Sequence, residues 1–160
     1  MILVATSAWI EFLRDTGSAV CTRVDEVLGA DLASCDPIRQ EVLFGARNES
    51  HLRELRRLLA RTSAVPTYPI DYEEAAVLYR MCRRSGDTVR RVADCLITAV
   101  AIRADLPVLH ADADFDALAR HTPLRVDQAE ALTEGEHTQP FRSRGQEANL
   151  HSDRPGNTAR

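Results

Sequence analysis

The chain has no lysine: all 20 of its basic residues are arginine. That argues against receiver-like and phosphatase α/β proteins, which usually need a Lys near their acceptor acid. It leaves a planar guanidinium for every cationic contact with phosphate or carboxylate. The absence fits phosphate recognition and a genome biased against lysine equally well. Aromatic residues are also scarce, at 5% of 160 residues, so Leu, Val, Ile and Ala must fill the core. Four cysteines (Cys21, Cys35, Cys82, Cys95) form no C-x-x-C pair and have no closely spaced His, which argues against a zinc site and a disulfide framework. No apolar run approaches the length of a membrane span, and the opening apolar run is too short for the core of a signal peptide. The expected setting is therefore the cytoplasm, with reduced thiols. A net charge of −4 argues against a general nucleic-acid coat but allows an acidic site beside a basic patch.

What is present is a patterned body followed by a polar tail. Ile2, Leu3 and Val4 read as a short buried strand, with Thr6 and Ser7 as hydroxyl caps of a helix over residues 8–14. Helices are expected over residues 18–28, from Pro37 through Leu43, over 50–61, over 71–84 with Asp71 as cap and Gly86 as stop, over 92–104, and over 115–120. Further strands are expected at residues 31–34, 65–68, 107–110 and 124–126. Short apolar strands separated by helices predict an α/β fold with a mostly parallel central sheet flanked by helices. The expected domain is 1–127. Residues 128–160, rich in polar and charged residues, are expected to be a disordered tail.

The informative residues are acids. Glu41 lies in the helix after Pro37, Asp94 near the start of the apolar helix at 92–104, and Asp112 and Asp114 just beyond the strand at 107–110. In a parallel α/β sheet, ligands bind at the carboxyl ends of strands. Carboxylates converging there would repel one another unless a hard cation such as Mg²⁺ or Mn²⁺ joined them. Taken singly, each acid also fits a bland role: Asp94 complementing a helix dipole, Asp112 and Asp114 in a turn, Glu41 on a solvated face. Arg80, Arg83, Arg84, Arg90 and Arg91 flank the loop just before Asp94 and could grip phosphates, or could simply be a solvated helix end. Arg53, Arg56, Arg57 and Arg61 read as a solvated face.

Taken together the strings resemble a known family. Residues 1–10, MILVATSAWI, resemble the opening I-L-V-D-T-S-x-W-I of VapC-type PIN-domain toxin ribonucleases. Residues 94–99, DCLITA, resemble the family's D-x-L-I-A-A, and residues 110–115, HADADF, its x-x-D-x-D-F. Glu41, followed by Gly45, falls where the family carries a helical Glu. The resemblance covers about residues 1–126. It implies a PIN-like fold, a Mg²⁺- or Mn²⁺-dependent endoribonuclease, and the toxin half of a toxin–antitoxin pair, with structured RNA such as tRNA as substrate. It carries over Glu41, Asp94, Asp112 and Asp114 as catalytic acids, with Asp94 and Asp112 in direct metal contact. Thr6 and Ser7 would orient ligands, and Arg84, Arg90 and Arg91 would contact RNA.

The departure is Ala5, which stands at the first metal-ligand position without a carboxylate. In an otherwise intact string it reads as an inactivating substitution, with a non-catalytic PIN module that binds RNA or an antitoxin as the alternative. A VapB-like antitoxin and a homodimer are further implications of the resemblance. The apolar surface for the antitoxin is expected from Trp9, Phe12, Val42, Leu43, Phe44 and the leucines of 52–59, unless these form only core.

Overall fold

The computed structural model describes residues 1–129. Residues 130–160, where most of the expected tail falls, lie outside the described residues. The elements run β1 (Ile2–Val4), α1 (Thr6–Leu13), α2 (Ala19–Val27), β2 (Leu32–Cys35), α3 (Asp36–Phe44), α4 (Glu49–Leu59), β3 (Ser63–Val65), α5 (Pro69–Arg84), α6 (Val92–Arg103), β4 (Val108–Leu109) and α7 (Ala113–His121). The four strands form one parallel sheet in the order β3-β2-β1-β4. This is the expected α/β fold.

The strand order decides where a ligand site can lie. From β1 the chain steps outward through β2 to β3, then returns to the other side of β1 as β4. The direction of winding therefore reverses between β1 and β4. At such a switch point the loops leave the carboxyl ends of adjacent strands in opposite directions and open a crevice. Ala5 leaves β1 there, and Asp112 follows β4 there.

Local chemistry sets most element ends. Ser18 caps α2 by accepting from Cys21 N–H at 3.1 Å, and Asn48 caps α4 by accepting from His51 N–H at 2.9 Å. Pro37 occupies the first turn of α3, where its missing N–H costs nothing. Gly86 follows the end of α5 with φ +89, a left-handed conformation open to glycine. Helix α6 buries Cys95, Ile97, Thr98, Ala99, Val100 and Ala101 as well as Asp94. It packs against α3, α5 and α7, which is why it is apolar around most of its circumference.

Several expected boundaries move. Helix α1 begins at Thr6, and its N-cap is Ala5, whose methyl accepts nothing. The hydroxyls of Thr6 and Ser7 are thereby freed for longer-range contacts. Strand β3 lies at Ser63–Val65 rather than 65–68, because Pro66 has no N–H to extend the ladder. Helix α5 starts at Pro69, so Asp71 sits in its first turn and accepts from Tyr68 N–H at 2.7 Å rather than standing as the cap residue. The expected strand at 124–126 is reduced to one bridge, Val108 to Val126. No helix of the described residues is long and apolar enough to cross a membrane.

The core explains much of the apolar surface expected for a partner. Trp9, Val42, Leu55 and Leu59 are buried, with Phe12, Leu43 and Leu58 packed against them. Of that set Phe44 alone is well exposed, at 77%. The bland reading therefore holds for most of those residues.

Candidate metal centre

Three of the predicted acids meet. Asp94, Asp112 and Asp114 each offer a carboxylate oxygen, and these oxygens lie within 4.8 Å of one another. Asp94 is placed by the first turn of α6, where it is 5% exposed. Asp112 is the N-cap of α7 and accepts from Asp114 N–H at 3.1 Å. Asp114, also buried, accepts from the backbone N–H groups of Arg90 (2.7 Å) and Arg91 (3.0 Å). It thus staples the loop that leads into α6 onto the start of α7.

Glu41 stands beside this trio rather than inside it. Its Oε2 accepts from the Thr6 hydroxyl at 2.5 Å, which ties α3 to the start of α1. Its charge is felt at Asp94. Ser7, the next residue, accepts from Ala111 N–H at 3.1 Å and so holds the turn that carries Asp112. Ala5 joins β1 to α1 as the N-cap of that helix. It is fully buried, and its N–H donates to Leu109 O at 2.9 Å.

The electrostatics are those of crowded acids. Burial, followed by the charges of Asp112, Asp114 and Glu41, pushes the Asp94 carboxyl up to about 7, against the opposing pull of Arg91. It rises although the N-terminal end of a helix favours the ionised form. Asp94 Oδ2 is buried with no hydrogen-bond partner. An unpartnered buried oxygen on one of three converging carboxylates fits a divalent cation, and an all-oxygen donor set suits Mg²⁺ or Mn²⁺.

Two of the predicted RNA-contact arginines are already engaged here. Arg90 lies 3.4 Å from Asp112 and 3.3 Å from Asp114, and Arg91 lies 3.9 Å from Asp112. Arg84 is elsewhere, exposed at the end of α5 beside Val77, Arg80, Met81 and Ser85. No contact in the described residues joins it to the acids.

Sequence reasoning did not single out His110 or Asp87. Burial lowers the His110 pKa despite Asp116 and Asp112, so its ring is neutral near pH 7, and it packs 5.1 Å from Phe115. Asp87 accepts from Arg120 at 2.8 Å and pairs with His121 at 2.7 Å, tying the other end of the 85–91 loop to α7. Asp87 carries no local pattern that would reveal it, since its partners lie 33 and 34 residues away. An apolar hollow of about 430 Å³ opens beside Ala93, lined by Tyr72, Ala75, Tyr79, Val92 and Leu96. It holds no acid and is separate from the carboxylate cluster.

Comparison with known proteins identifies the family. The PIN domain pattern matches residues 2–121. The VapC ribonuclease Mb1587 of Mycobacterium bovis is 43% identical over 133 residues, spanning 79% of this chain and 97% of that protein. Ribonuclease VapC11 of Mycobacterium tuberculosis matches to the same extent. Among solved structures, the DNA-bound VapBC complex of Salmonella typhimurium contains a chain that superposes with a TM-score of 0.65 at 15% identity, covering 81% of this chain and 99% of its own. FitAcB of Neisseria gonorrhoeae superposes with a TM-score of 0.64 at 21% identity, covering 81% and 98%. At those identities the structures speak for the fold alone. With the pattern match and the VapC relatives in agreement, this chain belongs to the PIN-domain family, among its VapC-type members.

Proposed function

We propose that the carboxylate cluster is the metal centre of an endoribonuclease, the toxin component of a toxin–antitoxin pair, and that Ala5 leaves it weakened. The observation that carries this reading is the convergence of Asp94, Asp112 and Asp114 at the switch point, with Asp94 Oδ2 buried and unpartnered.

Asp94 and Asp112 would hold Mg²⁺ or Mn²⁺ directly, and Asp114 would contribute while keeping its grip on the loop. Glu41, steadied by Thr6, would act through water. A divalent ion so held supplies charge neutralisation at a phosphodiester and activation of a water. The chain's own part is to fix these acids before substrate arrives. Thr6 sets the Glu41 carboxylate, Ser7 sets the turn bearing Asp112, and Asp114 sets the approach to α6. Such preorganisation matters because small displacements of reacting groups cost large factors in rate.

Ala5 is the weak point. The position ends β1, beside the start of α1 and the end of β4, where a carboxylate would complete the set. A methyl cannot coordinate a cation. Removing one carboxylate from such a site weakens metal binding and removes an anchor for the attacking water. The test compares this chain with Ala5→Asp on total tRNA in Mg²⁺ or Mn²⁺. The expected result is cleavage by Ala5→Asp at a rate at least about 100-fold above this chain, about 3 kcal/mol of barrier. Equal activity in both would remove the role given to Ala5. A non-catalytic module, with Ala5 native, would bind no more metal after Ala5→Asp than before.

The other partners follow from the same reading. An antitoxin is supported by the VapBC neighbours and would dock near Phe44 and the acid cluster. A homodimer would use the exposed apolar side chains Tyr72, Val77 and Val92 on α5 and α6. A cytoplasmic setting, where RNA is at hand, belongs to the same proposal, as does a domain body ending near residue 127.

A further inference from the structure

We propose that Arg90 is the resident counter-cation of the acid cluster: a divalent ion must displace it, and the displaced guanidinium then contacts substrate phosphate at the mouth of the same site. The inference rests on the metallonuclease reading above.

Arg90 straddles two of the three acids. Its Nε donates to Asp114 Oδ1 at 3.3 Å, and one terminal nitrogen donates to Asp112 Oδ1 at 3.4 Å. The side chain approaches from solvent and remains 71% exposed, while the carboxylates it covers are 5% and 17% exposed. With the guanidinium exposed and both contacts long, the pairing is weak and readily exchanged. Guanidinium and metal ion therefore compete for Asp112, and for the Asp114 oxygen that Arg90 Nε holds, and the ion, with twice the charge, wins once present.

The backbone beneath Arg90 does not need to move for this exchange. Asp114 Oδ2 accepts from the N–H groups of Arg90 and Arg91, and Asp87, three residues upstream of Arg90, is held by Arg120 and His121 on α7. The loop is fixed at both ends to the helix that carries Asp112 and Asp114. Only side-chain rotation is required, and the freed guanidinium stays within one side-chain length of the cluster. A planar donor fork held there suits a phosphate oxygen pair. Arg91, at 3.9 Å from Asp112, is a weaker second counter-charge.

The signature is a change of opposite sign in two affinities. Arg90→Gln should tighten Mn²⁺ binding about fivefold at low salt, since a unit positive charge a few ångströms from the ion is removed, with the effect shrinking as salt screens it. The same substitution should weaken RNA binding about fivefold, with a shallower salt slope. A residue that only supported the loop would weaken both, and one that only touched RNA would leave Mn²⁺ affinity unchanged.

The experiment measures free Mn²⁺ by electron paramagnetic resonance in this chain and in Ala5→Asp, each with and without Arg90→Gln, and with Asp94→Asn marking the site. RNA affinity is measured by fluorescence anisotropy with this chain, the oligonucleotide being checked for integrity afterwards. Tighter Mn²⁺ binding with weaker RNA binding supports the proposal. If Asp94→Asn abolishes Mn²⁺ binding but Arg90→Gln leaves it unchanged or weakens it, the counter-cation role is overturned while the metal centre stands. If none of the proteins binds Mn²⁺ saturably, both are overturned.

Discussion

Asp94 should make the metal-free protein less stable, and removing its charge should show this directly. Burial and three neighbouring acids raise its carboxyl from 3.8 to about 7. The folded chain thus holds this proton more tightly than the unfolded chain does. Stability from this group is fully present below pH 4 and is lost as pH rises through 7. A separation of about three pH units between folded and unfolded values corresponds to about 4 kcal/mol above pH 7, taken as an upper limit because buried sites relax and admit water. Asp94→Asn keeps the shape and removes the charge. In EDTA at pH 8 it should stabilise the protein by about 2–4 kcal/mol, falling to about 1 kcal/mol or less at pH 4.5. Urea unfolding at the two pH values measures the difference, with an unchanged m-value expected. Mg²⁺ should raise the stability of the parent protein and leave Asp94→Asn unmoved. An Asp94→Asn protein less stable than its parent at pH 8, or a gain independent of pH, would refute the account of a strained acid cluster.

Asp114→Ala removes a charge from the same cluster and should act in the opposite direction, because it strands the Arg90 and Arg91 amides; a loss of about 1–3 kcal/mol in EDTA is expected by the same unfolding assay, and a gain would contradict the staple role. Arg103→Met strands Asp71, a 2%-exposed carboxylate held by two guanidinium bonds of 2.7 and 3.0 Å, and should cost about 3–5 kcal/mol. Burial raises the Asp71 pKa, but the hydrogen bonds from Arg103 and the Tyr68 N–H more than reverse this, leaving it below its usual value. Its contribution is therefore present above pH 4 and disappears as acid is added through the lowered pKa, so the cost of Arg103→Met should shrink on acidification. A cost that stays constant from pH 7 to pH 3 would show that the loss comes from packing rather than from the ion pair.

The sequence made the α/β sheet and the convergence of three acids legible, but not every strand boundary. Helix α6 was readable because its apolar residues leave almost no polar stripe, and its first turn places Asp94 at the crevice. Strand β1 is readable because Leu3 and Val4 are buried, with Ile2 partly so, between two neighbours. Strand β3 was misplaced because Ser63 and Ala64 are exposed and make no apolar pattern; only pairing with Ala33 and Ser34 defines them. Thr6 and Ser7 looked like cap residues since hydroxyls before a helix usually are. The backbone turns helical two residues earlier than expected, and their hydroxyls instead meet Glu41 and Ala111, 35 and 104 residues away. Trp9 and Leu55 could have served a groove or the core, and three-dimensional packing assigned them to the core. Arg90 looked free to grip RNA because local sequence says nothing of Asp112 and Asp114 waiting across the crevice.

The most direct test of the metal centre is a crystal of this chain with Ala5→Asp, grown in Mn²⁺ and examined for anomalous scattering. The account predicts one Mn²⁺ peak bounded by the carboxylates of Asp94 and Asp112, with Arg90 turned away from Asp112 and Asp114. A map with no peak there, and Arg90 still lying across Asp112 and Asp114, would contradict it.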